Sequence, residues 1–432
     1  MSMAPLSPVS ALFTDRYELT MVGAALADGT ADRDCVFEVF ARRLPHGRRY
    51  GVLAGTGRLL EALPHFRFGD DELSALRDQG ITDDRLLDWL AGFRFSGDID
   101  GYAEGDLYFP GSPVLTVRAP FAEGVLLETL ALSILNHDSA IASAAARMVA
   151  AACERPCIEM CSRRTHEEAA VAAARAAYLV GFGTTSNLAA GRRYGVPTSG
   201  TSAHAFTLLH DDEKAAFQAQ VATLGKGTTL LVDTYDVDQG IRNAVEAAGP
   251  ELGGIRLDSG DLPTLATHAR QLLDSLGATS TRIVVTSDLD EYAISGLMAA
   301  PVDRYGVGTS LVTGSGAPTA GMVYKLVERD GMPVAKKSEG KNSVGGRKHA
   351  VRRHAGDGTA LAEVVSSEPI APRDGDRDLV VPLVRAGAVC EELTPGQALQ
   401  QARAHYEQVR TTLPPEAWAL SRGEPVLETV TR

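Results

Sequence analysis

Cysteine is scarce in this chain, five among 432 residues, and aromatic residues make up only 6% of it. So few thiols in so long a chain exclude a disulfide-stapled scaffold and fit a reducing compartment, so a cytoplasmic location is expected. Cys153, Cys157 and Cys161 are evenly spaced, yet C-x3-C-x3-C matches no common zinc or iron–sulfur pattern, and Pro156 breaks the helix that would align them. They read as small buried thiols. Long apolar runs are lacking as well, and no stretch is expected to reach the length of a membrane span. Met1–Pro8 has neither a basic region nor an apolar core, so no signal peptide is expected. Basic charge is in deficit: the formal net charge is −13, which argues against a nucleic-acid or anionic-membrane partner. Any local basic cluster is then more telling.

What the chain does have is a repeated unit. In GIRLDSGDL (Gly254–Leu262) a short apolar run ends in two carboxylates, Asp258 and Asp261, and Pro263 opens an amphipathic helical pattern that stops at Gly277. TTLLVDTYDV from Thr228, RIVVTSDLDEY from Arg282 and RYGVGTS from Arg304 repeat the theme. Apolar bodies suit parallel strands buried on both faces, and polar carboxyl ends suit the working rim of a (β/α) barrel. Strand signals near Ile158, Gly181, Val196, Leu230, Ile255, Ile283 and Tyr305 predict an incomplete, about seven-stranded TIM-like α/β barrel over residues 121–320.

The flanks read differently. Residues 1–120 form an α+β segment, with a helix over Leu12–Gly29, a strand over Cys35–Phe40 and helical pattern from Gly57 to Leu90 broken at Gly80. Helices are expected over Ala122–Asn136 and Asp138–Ala152. Residues 321–432 return as a hairpin around Arg329-Asp330-Gly331, a basic stretch (Lys336–Arg353) expected on a solvent-facing sheet edge, and a polar helix over Thr394–Arg410. Both termini are therefore expected to build a second α+β domain. Arg42, Arg43, Arg48 and Arg49 fit either a solvated loop or a phosphate contact.

Three features of the rim converge on a polyanionic ligand. Gly306-Val-Gly308-Thr309-Ser310 offers backbone N–H groups and hydroxyls where barrels often hold phosphate. Arg163 and Arg164 end the first barrel strand, where guanidinium forks meet phosphate or carboxylate bidentately. Asp233, Asp236, Asp258, Asp261 and Asp288 crowd three successive strand ends; some cap helices, Asp236 and Asp288 foremost, and the others call for cations or Mg²⁺. Carboxylates so placed suit an oxocarbenium-like ribosyl transition state.

Five motifs in order, TDRYELTM, GFGTTSN, VPTSGTSAHAF, GIRLDSGDL and YGVGTSLVTG, resemble the nicotinate phosphoribosyltransferase family from Leu12 to about Leu326. The resemblance implies transfer of nicotinate to phosphoribosyl pyrophosphate, coupled to ATP through a phosphohistidine that falls on His204. Asp233 and Asp258 would take catalytic roles and hold Mg²⁺. Tyr17, Phe182, Thr201 and Arg256 would bind nicotinate, and Arg163, Arg164, Gly308 and Thr309 phosphoribosyl pyrophosphate. A homodimer is implied, with Tyr17 acting in its own or a neighbouring subunit. Ala205 departs from the family, where many relatives carry serine. Nicotinamide or quinolinate as substrate, or a non-catalytic metabolite-binding barrel, are the alternatives.

Overall fold

A computed structural model describes residues 10–336, 344–371 and 373–432. The chain forms two compact units, residues 144–318 and residues 1–143 with 319–432.

The terminal unit is mainly antiparallel, with one parallel pair, Ala360–Ser366 beside Glu428–Thr431. Its seven-stranded sheet runs in the order Met332–Pro333, Met322–Arg329, Asp34–Ala41, Leu115–Pro120, Asp98–Tyr102, Val380–Arg385, Ala388–Val389, so strands from both ends of the chain interleave. Phe37 stacks on Tyr324 across that pairing, with ring centroids 5.1 Å apart. The Leu12–Gly29 pattern yields a helix over Arg16–Asp28, closed by Gly29 in the left-handed region. The Gly57–Leu90 pattern divides into helices Thr56–Ala62, Asp70–Asp78 and Asp84–Gly92.

The two expected helices at Ala122–Asn136 and Asp138–Ala152 are one helix, Phe121–Ala152. Neither Gly nor Pro occurs at the junction. Asn136 turns its amide to the backbone of Met322 (2.8 and 3.2 Å) and Asp138 is buried against Arg58 (2.8 Å), so both leave the helical ladder intact. That helix is also long and apolar enough to cross a membrane by length and composition alone, contrary to expectation, but 67% of its most apolar window is buried. It is an alanine-rich core helix.

The basic stretch after Lys336 is not simply a solvated edge. Residues 337–343 lie outside the described residues, as does the Met1–Pro8 segment. Lys348 is buried against Glu38 (2.7 Å), and Arg352 is fully buried between Asp106 (2.9 Å) and Glu363 (2.6 Å). The carboxylates that pull these cations inward come from other elements: Glu38 from Asp34–Ala41, Asp106 from the turn before Leu107, and Glu363 from the strand paired with that of Arg352. Arg48 is buried too, whereas Arg42 and Arg43 are exposed.

The central unit carries the βα repeats. Its six strands are parallel, in the order Thr184–Thr185, Cys157–Glu159, Arg304–Val307, Arg282–Val285, Gly254–Leu257, Thr229–Leu231. The first strand thus pairs with the last, the ordering of a curled half-barrel. The seventh strand expected at Val196 is reduced to one parallel bridge, Thr185 to Thr198. Pro197 explains this in part, because it has no N–H to give to a ladder. Gly306 is where the sheet is tightest: a Cβ there would lie 2.4 Å from Thr286 Cγ2 and 2.8 Å from Met160 Sδ. Cys157 and Cys161 are buried as expected, but Cys153 is exposed and left-handed (φ 54°), at the turn after the long helix.

Candidate functional site

Register brings the acidic strand ends together. Leu231 pairs with Arg256, and Leu257 with Val285, so Asp233, Asp258 and Thr286 follow side by side. The Asp258 backbone N–H donates to Asp233 Oδ2 (2.8 Å), and the Ser259 hydroxyl donates to the same oxygen (2.9 Å). Thr286 donates to Asp258 Oδ1. The Asp233 side chain is 2% exposed, and its Oδ1 has no hydrogen-bond partner among the described residues; the Asp258 side chain is 31% exposed.

His204 opens a short helix, His204–Leu208. Its Nδ1 lies 3.0 Å from Thr234 Oγ1, which leaves Nε2 facing Asp233 Oδ1 at 4.0 Å and Asp258 Oδ2 at 3.9 Å. Both distances exceed that of a hydrogen bond. The two carboxylates and this imidazole thus share one mouth.

Along the strand Gly254–Leu257, Ile255 and Leu257 are fully buried on one face, so Arg256 points to the other. Its guanidinium donates to Thr201 Oγ1 at 2.5 Å, while Nε is buried with no hydrogen-bond partner among the described residues. Burial pulls the Arg256 pKa below its ordinary value; Asp258 and Asp233 act to raise it, and nearby Arg163 lowers it further. A cation in that position favours an anionic group arriving between it and Arg163.

Arg163 and Arg164 are exposed in the turn after Glu159, and the Arg164 N–H donates to Cys161 O (2.7 Å). Across the sheet, Gly308 leads into the short helix Thr309–Val312; a Cβ at Gly308 would lie 4.0 Å from Arg164 Cγ. The arginine turn and the glycine–hydroxyl turn are therefore neighbours. Phe182 is buried within the same unit. Tyr17 belongs to the terminal unit, where burial and the carboxylates of Glu128 and Glu18 push its hydroxyl pKa well up.

Three acidic residues are helix caps. Asp236 and Asp261 accept from the backbone of Gln239 (2.8 Å) and Thr264 (3.3 Å). Asp290, not Asp288 as expected, caps the following helix through Tyr292 and Ala293 (3.0 and 2.8 Å). Thr234, Ser259 and Thr286 escaped the sequence reading, although two of them sit inside the VDTYD and LDSGD stretches that carried it. No group of three or more His, Cys, Asp or Glu side chains among the described residues is arranged to hold a metal by itself. A cavity of about 660 Å³ in the terminal unit, bordered by Glu104, Leu383 and His405, contains none of these residues.

Comparison with known proteins agrees with this geometry. Residues 12–136 match the nicotinate phosphoribosyltransferase N-terminal domain. The chain is 61% identical over 430 residues to nicotinate phosphoribosyltransferase pncB1 of Mycobacterium tuberculosis, covering 97% of this chain and 95% of that one. Identity to pncB2 of the same organism is 42% over 432 residues, covering 97% and 90%. The crystal structure of human nicotinic acid phosphoribosyltransferase superimposes with a TM-score of 0.84 at 26% identity, over 97% of both chains. An acidic rim on a parallel half-barrel, together with full-length identity of this order, places the chain in the nicotinate phosphoribosyltransferase family.

Proposed function

We propose that this protein joins nicotinate to the ribose of phosphoribosyl pyrophosphate, releasing pyrophosphate and forming nicotinate mononucleotide for NAD biosynthesis. The observation that carries the reading is Arg256, a partly buried guanidinium fixed by Thr201 beside the Asp233–Asp258 pair. Its planar fork suits a pyridine carboxylate, and its permanent charge favours the acid over the amide. Arg163 and Arg164 take pyrophosphate oxygens, and Gly308 with Thr309 the 5′-phosphate. As the ribose C1–oxygen bond to pyrophosphate breaks and the pyridine nitrogen bonds to C1, Asp258 and Asp233 stabilise the positive charge that develops on the ring. Phe182, in the central unit, lies on the pyridine side of this reading, which also takes the protein to be a homodimer.

Two carboxylates, one with an unpartnered buried oxygen, fit Mg²⁺, which binds through one or two carboxylates and substrate phosphates. Asp233 and Asp258 would hold the ion, and it would neutralise pyrophosphate charge. ATP coupling runs through His204. With Nδ1 held by Thr234, Nε2 is the nitrogen that accepts a phosphoryl group from ATP.

The test is turnover of nicotinate, nicotinamide and quinolinate with phosphoribosyl pyrophosphate, with and without ATP. Product from nicotinate, stimulated by ATP, is expected. Preference for another pyridine overturns the substrate assignment, and no pyrophosphate release from any of the three overturns the activity. Acid-labile ³²P from γ-labelled ATP should appear on the wild type and vanish in His204→Asn; label retained by the variant removes the phosphohistidine.

A further inference from the structure

Glu159 is the last residue of the strand Cys157–Glu159, and only 1% of it is exposed. Its carboxylate accepts from two donors. One oxygen takes the backbone N–H of Cys161, and the other takes the Thr185 hydroxyl on the neighbouring strand. The Thr185 oxygen in turn accepts the Asn187 N–H (2.9 Å), and the Asn187 amide donates to Ser162 Oγ (3.1 Å). Cys161 completes the arrangement on the far side: burial, with Glu159 adding to it, pushes its thiol pKa far up, and the neutral S–H donates to Gly308 O at 3.2 Å. The Glu159 carboxylate therefore ties the start of the turn Cys161–Arg164 to one neighbouring strand, and the Cys161 thiol ties it to the end of the other. Cys161 lies just before the two arginines, so the carboxylate sets where that turn leaves the sheet.

We propose that Glu159 is a positioning residue for phosphoribosyl pyrophosphate: through Cys161 and Thr185 it aims Arg163 and Arg164 at the pyrophosphate. This rests on the function proposed above. The chemistry dictates the acid. A glutamine can accept on only one side, so either the Cys161 N–H or the Thr185 hydroxyl would meet an amide N–H₂. An aspartate, one methylene shorter, would not reach both the Cys161 N–H and the Thr185 hydroxyl. A turn that is free to drift would cost affinity for the doubly charged group while leaving the Arg256 contact with nicotinate in place.

Thr185→Val, which keeps shape and removes the hydroxyl, is the deciding variant, with Glu159→Gln beside it and Thr185→Ser as rescue. In steady-state kinetics KM for phosphoribosyl pyrophosphate should rise about tenfold or more, with KM for nicotinate changed by less than about twofold. Calorimetric affinity for inorganic pyrophosphate should fall in parallel, and Thr185→Ser should restore both. Thr185→Val with unchanged pyrophosphate affinity overturns the proposal, as do equal rises in both KM values. Should Glu159→Gln not fold, Thr185→Val and Thr185→Ser still decide. Pyrophosphate binding separates this from the function itself: a wild type that binds pyrophosphate without turnover, and loses that binding in Thr185→Val, sinks the proposed reaction but keeps the positioning role.

Discussion

The terminal and central units both bury acids beside cations, but they finish the job differently. In the terminal unit both Asp106 oxygens are fully engaged: Arg352 (2.9 Å), Arg377 (2.7 and 3.0 Å), His405 (3.1 Å) and the Leu107 N–H (2.8 Å) all donate to them. In the central unit Asp233 Oδ1 has no hydrogen-bond partner among the described residues, and His204 Nε2 stands 3.9–4.0 Å from two carboxylates. A closed network is worth most to folding. An open one keeps its donors and acceptors for something that arrives later.

That contrast can be broken by experiment. The largest expected effect is on folding: Asp106→Ala takes the carboxylate from Arg377 and His405 and leaves the fully buried Arg352 with the Glu363 carboxylate, and should cost about 3–5 kcal/mol, read from urea unfolding. A loss below about 1 kcal/mol would erase the distinction between the units. The same network has a pH signature. Burial alone would raise the Asp106 pKa, but His405, Arg352 and Arg377 outweigh it and hold the carboxyl far below the usual range. Its stabilising contribution is therefore complete above the unfolded value near pH 4 and fades as pH falls below that. Wild-type stability should drop through this window, and the drop should be shallower in Asp106→Ala.

The open network should respond the other way. Arg256→Ala should raise KM for nicotinate by roughly ten- to a hundredfold, the worth of a charge-assisted hydrogen bond of about 1.5–3 kcal/mol, with little change in unfolding free energy. A large stability loss with unchanged KM would make Arg256 a structural residue. The smallest effect sharpens the boundary inside the acidic rim. Asp261→Ala removes a helix cap and should cost about 1 kcal/mol of stability while both substrate KM values hold.

Much of the rim was legible because its signal is local. Apolar runs that end in Asp, Ser or Gly mark strand ends, and Pro263 with Asp261 marks a helix start whatever lies elsewhere in the chain. What was not legible depends on lateral partners. Lys348 and Arg352 read as solvated cations because Glu38, Asp106 and Glu363 are supplied by other elements of the fold. Thr286 and Glu159 gained their meaning only when register set them beside Asp258 and Thr185. The cap assigned to Asp288 shifted to Asp290 because SDLDE offers two candidates and the backbone uses the second. The long helix was divided because Asn136 and Asp138 look like breakers until tertiary partners claim their side chains.

Gly306 links what the two halves of the rim do. A methyl group there would press on Thr286, whose hydroxyl steadies Asp258, and on Met160, which leads into the arginine turn. A single added carbon would thus push at once on the residue that holds Asp258 and on the approach to Arg163 and Arg164, so glycine is the residue that lets both neighbours stay where they are.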